Sequence, residues 1–113
     1  MNRRLAIAAL LLWTATVSAQ NPPVVKVSAL ANGELLLNGR PTTLAAIERE
    51  LDSLEASNGV VWYYRENAQA EPRPEAMAVI EQVMKRRLPM SMSSRPDFSD
   101  YIDANGRSQP RKP

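Results

Sequence analysis

The chain has 113 residues, 44% of them hydrophobic, with 14 Lys or Arg against 12 Asp or Glu. That length allows one domain with its own core. It holds no Cys and no His, which excludes disulfide stapling, thiolate or imidazole catalysis, and a zinc or copper site of the N/S type.

Residues 1–19 read as a signal peptide. Met1 to Arg4 supply a basic start, Leu5 to Val17 an uncharged and largely apolar run, and Val17-Ser18-Ala19 the small residues a signal peptidase accepts. Cleavage after Ala19 leaves Gln20 as the new N-terminus and implies a periplasmic destination. An uncleaved inner-membrane anchor is the alternative, although the run is shorter than the ~20 residues a bilayer span needs. Removing Arg3 and Arg4 leaves 12 basic residues facing 12 acidic ones. With no net positive field, nucleic acid is not an expected partner.

An extended leader over 20–26 runs into a domain spanning 24–104. Val24 to Leu30 and Glu34 to Leu37 read as a hairpin around Asn32-Gly33, a dipeptide suited to a type I′ turn. Asn38-Gly39 closes the second strand. Thr43 is the expected N-cap of a helix whose buried stripe is Leu44, Ile47, Leu51 and Leu54, ending at Asn58-Gly59. Val60 to Tyr64 is the strongest strand, five β-branched or aromatic residues in a row. Pro74 opens a second helix with Met77, Ile80, Val83, Met84 and Leu88 as its stripe, and Pro89 ends it. Leu88 to Ser93 alternates as a short strand. Residues 105–113, without an apolar anchor, read as a disordered tail. The order ββαβαβ, with two helices packed on one mixed sheet, is a two-layer α/β sandwich of the α+β kind.

Three stretches carry a resemblance to a known family. GELLLNGRPTTLAAIERELDSL leads a short strand through Asn-Gly and Pro into a Thr-capped helix; VVWYYRENA follows; AMAVIEQVMKRRLPMSMSSRPDF completes it. From about Val27 to Phe98 the chain resembles the periplasmic domain of ExbD/TolR proteins, which take part in biopolymer transport across the cell envelope driven by the proton-motive force. The resemblance implies a non-enzymatic binding or adaptor domain whose partner is an envelope protein or a cell-wall polymer, with a homodimer as one arrangement it allows. Members of that family carry an acidic residue in a transmembrane helix. Residues 1–20 contain no Asp or Glu, so the proton-relay part of the family's role is not expected here.

Arg65 and Glu66, at the end of the central strand, are the candidate partner-binding pair, since ligand contacts gather at strand ends in α/β sheets. A plain surface ion couple is the competing reading. Asp97, Asp100 and Asp103 recur every three residues, but without the loop pattern of a calcium site they read as caps. Met90 and Met92 have a spacing that suits copper(I), though core packing explains them better. Trp62, Tyr63 and Tyr64 read as sheet builders, and Lys85, Arg86 and Arg87 as a helix C-terminal charge cluster. No metal and no cofactor is expected. The alternative function is a small carbohydrate-active enzyme of the envelope using paired carboxylates such as Glu66 and Glu71.

Overall fold

The computed structural model describes residues 21–112. The expected signal peptide, cleaved between Ala19 and Gln20, lies outside the described residues. Strands β1 (Val24–Ala29), β2 (Leu35–Leu37), β3 (Arg40–Thr42), β4 (Val60–Arg65) and β5 (Met90–Ser93) form one mixed sheet in the order β3-β2-β1-β4-β5. Helices α1 (Leu44–Ala56) and α2 (Pro74–Lys85) pack on it, and β6 (Asp100–Ile102) and β7 (Ser108–Pro110) pair as a small second sheet. The class is α+β, as the sequence indicates, but the order is βββαβαβββ in place of ββαβαβ.

The difference begins in the turns. Within the β1–β2 loop only Gly33 has positive φ, 95°. Its N–H donates to Leu30 O at 3.0 Å while Leu30 N–H donates to Glu34 O at 2.8 Å. This is a type I turn closed by a glycine bulge, not the expected type I′. The type I′ geometry falls at Asn38 and Gly39, with φ of 51° and 85°, joining Leu37 to Arg40. That dipeptide therefore opens a third strand instead of ending the second. Pro41 hides β3 from a propensity reading, yet proline is tolerated at a sheet edge, where its missing N–H breaks no ladder.

Helix α1 follows its sequence signals closely. Thr43 Oγ1 accepts from Ala46 N–H at 3.1 Å, and Ile47, Leu51 and Leu54 are buried. At its end, Gly59 N–H donates to Leu54 O at 2.9 Å and Asn58 N–H to Glu55 O at 3.3 Å, with Asn58 at φ 57°. This Schellman arrangement satisfies carbonyls that the helix leaves open. A Cβ on Gly59 would overlap Leu54 and stand 2.8 Å from the Pro23 carbonyl. Only glycine lets the chain turn that tightly into β4.

Helix α2 begins at Pro74 as expected, but its phase differs from the sequence reading. The buried face is Ala76, Val79 and Val83. Ile80 and Leu88 pack at the core margin, while Met77 and Met84 are 57% and 68% exposed. Both candidate stripes repeat at helical spacing, so periodicity alone does not choose between them. The close helix–sheet contact does: small Ala76 and compact valines fit beneath α2, and the long methionines turn outward.

One core joins both helices to the same sheet face, through Val25, Val27, Val61 and Tyr63 on the strands. Leu51 is fully buried and its neighbour Glu50 is exposed. Leu51→Ala should cost ~2–5 kcal/mol in chemical denaturation. Glu50→Ala should cost under ~1 kcal/mol, and equal losses would contradict the phase of α1.

The other sheet face is covered by the very segment whose composition suggests a disordered tail. Ser108–Pro110 pairs antiparallel with Asp100–Ile102. Beyond it, the Arg111 guanidinium lies 3.9 Å from the Trp62 ring centre, with its Nε donating to Phe98 O at 3.1 Å. Phe98 is buried and meets Tyr64 edge-on, ring centres 6.4 Å apart. Composition misses this arm because a cation stacked on an aromatic ring, not an apolar residue, anchors it.

Asp100 organises the arm. Its carboxylate accepts from the Ser94 and Arg95 N–H groups and from the Ser94 and Ser108 hydroxyls. Burial works to raise its pKa, but these hydrogen bonds outweigh burial and lower it from 3.8 to about 2. A carboxylate depressed on folding stabilises fully above its unfolded pKa, and that contribution fades as pH falls through the folded value. Acid titration followed by Trp62 fluorescence should therefore show the arm loosening between pH 3.8 and about 2. Asp100→Asn should remove that step and weaken the arm at neutral pH; an unaltered acid profile in the variant would contradict this role for Asp100.

Candidate functional site

Arg65 and Glu66 stand at the C-terminal end of β4, beside the parallel end of β1. Both line a cleft of 180 Å³, which also includes Glu34, Glu71 and Arg73. Each is engaged within the domain. Arg65 donates Nη1 to Ala70 O at 3.0 Å and Nη2 to Ala68 O at 2.6 Å. Glu66 Oε1 accepts from Ala31 N–H at 2.8 Å. The two residues pin the loop after β4 and the β1–β2 turn to the strand ends, and their partners are backbone groups that no sequence pattern reveals. Glu66 and Glu71 line the same cleft, with Glu66 held by the Ala31 amide.

The remaining sequence candidates fall into structural positions. Asp97 Oδ1 accepts from Ser99 N–H at 3.0 Å, and hydrogen bonds from Ser99 lower its pKa. Asp103 accepts from the Arg107 and Asn105 amides and from Gln109 Nε2, with the Arg107 amide the leading cause of its lowered pKa. The three aspartates thus cap different turns. Arg86 Nε meets Asp52 Oδ1 at 2.8 Å and its Nη1 donates to Gln82, tying α2 to α1. Met90 packs against the core while Met92 is 41% exposed, so the two thioethers serve different surroundings.

A second, larger cleft is not among the expectations drawn from the sequence. It lies between α2 and β5, has a volume of 530 Å³, and is lined by Tyr63, Pro72, Met77, Ile80, Met84 and Met92. Flexible thioether side chains there present an adaptable apolar surface. Arg65 and Glu81 also line it, one of each charge. At its inner side, Tyr63 is 2% exposed and its hydroxyl is buried without a hydrogen-bond partner. Burial raises the Tyr63 pKa despite the opposing Arg65 charge, so the group is a protonated donor at neutral pH. The signal for this cleft was present in Met77 and Met84, seven residues apart, but it reads equally well as a core stripe.

A site of this kind suits recognition better than chemistry: apolar, adaptable, with one unused donor. No helix among the described residues is long and apolar enough to cross a membrane. A scan against known protein families matches none of them to this chain, and no curated protein matches it either.

Proposed function

We propose that this chain is a non-enzymatic binding domain of the periplasm, similar to the envelope arm of ExbD/TolR proteins, that engages a partner protein through the α2–β5 cleft. The observation that carries the reading is the exposure of Met77, Met84 and Met92 around one apolar cleft. Large side chains exposed together mark interaction surfaces more often than solvated ones. Arg65 and Glu66 support the reading indirectly: they hold the loops framing that end of the sheet and leave recognition to the cleft.

The role is adaptor without motor. The leader has no carboxyl to relay a proton, and cleavage after Ala19 separates the domain from the membrane. Exported in excess in a host that depends on an ExbD/TolR system, the domain should sequester the normal partner and impair transport. Met77→Asp with Met84→Asp should relieve that interference with the fold intact by circular dichroism, since both side chains are exposed. Rescue of a stator-deficient strain by this chain alone, or interference indifferent to the double variant, would contradict the proposal.

A further inference from the structure

We infer that the cleft takes an extended segment of a partner protein as a sixth strand on β5, with apolar residues at alternate positions and an oxygen acceptor on one side chain for the Tyr63 hydroxyl. This rests on the adaptor reading and specifies the chemistry of its partner.

Three independent observations converge. The first is the sheet edge. β5 ends the strand order, and Val61 N–H donates to Pro89 O at 3.0 Å. Amide direction alternates along a parallel strand, so Pro89, Ser91 and Ser93 face β4 while Met90 and Met92 turn their N–H and C=O groups outward. Among the described residues no strand pairs with that side; β6 runs close along β5 but is joined to it through the Ser93 hydroxyl, which donates to Asp100 O, and not by ladder hydrogen bonds. Outward amides on an edge strand are a template for another chain.

The second is continuity between edge and cleft. Met92 pairs in register with Tyr63 and shares its sheet face, and both line the cleft with Met77 and Met84. A strand added beside Met92 therefore directs every second side chain into the cleft. The third is the Tyr63 hydroxyl. A buried donor without a partner is destabilising in the free protein, and Tyr63 lines the cleft together with Met77, Met84 and Met92, whose flexible side chains can give way to an entering acceptor. A lipid chain would fill the apolar space but leave the edge amides unused. Arg65 offers little to an anionic head group, because its guanidinium already serves Ala68 and Ala70.

The test uses the mature chain and two acetylated, amidated heptapeptides. In one, leucine alternates with threonine; in the other, glutamine replaces the central leucine. By NMR, both should shift the Met90 and Met92 amides saturably and slow their hydrogen exchange. Proline at both the central position and an adjacent threonine, which removes a ladder N–H whichever way the added strand runs, should abolish the effect. Tyr63→Phe should weaken the glutamine peptide three- to tenfold, the worth of one hydrogen bond, and leave the leucine peptide unchanged. The free Tyr63→Phe domain should unfold at the same or a higher temperature.

Unshifted Met90 and Met92 amides at millimolar peptide would overturn strand addition. Protection of those amides by concentration-dependent self-association would assign the edge to a second copy and overturn it equally. A destabilised Tyr63→Phe domain would show that the hydroxyl already has an acceptor and remove its role. If the peptides fail while interference in cells still depends on Met77 and Met84, the adaptor reading stands and this inference alone falls.

Discussion

Strand β4 must be covered on both faces, and the rest of the molecule is arranged to do it. Val60 to Arg65 puts Val61 and Tyr63 under the helices and Trp62 and Tyr64 on the opposite face. Helices supply one cover through Ile47, Leu51, Val79 and Val83. The C-terminal arm supplies the other, with Arg111 over Trp62 and Phe98 against Tyr64. Removing a cover would expose an aromatic surface too large for a small domain to leave in water.

That constraint explains both the arm and the asymmetry of the sheet. The arm contains few apolar groups, so it is held by polar means: Asp100 gathers amides and hydroxyls from both sides of the hairpin, and Arg111 spreads its guanidinium on an indole face. On the helical side, α1 is capped at both ends and α2 closes the β4–β5 crossover. The helical layer leaves Met77, Met84 and Met92 exposed about a cleft rimmed by the end of the sheet. The same packing that buries β4 therefore creates the candidate surface.

Much of the fold was legible because local chemistry and tertiary packing agree there. Thr43, Asn58 and Gly59 bound α1 in the sequence and in space, and Pro74 starts α2. Where several local solutions share one signature, the sequence alone misleads. Asn32-Gly33 and Asn38-Gly39 are the same dipeptide with different turns, and the register between strands decides which is type I′. Methionine and valine stripes on α2 have the same period, and only the distance to the sheet separates them. Arg65 and Glu66 stand at the end of β4, where the sequence reading puts them, but their backbone partners are long-range or loop-dependent. The cleft needed the α2 phase, the β5 edge and the unpartnered Tyr63 hydroxyl together, none of which is a property of a single segment.

The central claim is that recognition occurs at the α2–β5 cleft, and site-specific photo-crosslinking in living cells tests it most directly. A benzophenone side chain placed at Met84 should yield a discrete protein adduct in the envelope. The same group at Glu50, on the exposed side of α1, should yield none. Adducts from Glu50 equal to those from Met84, or none from Met84 with the domain folded and exported, would contradict the account.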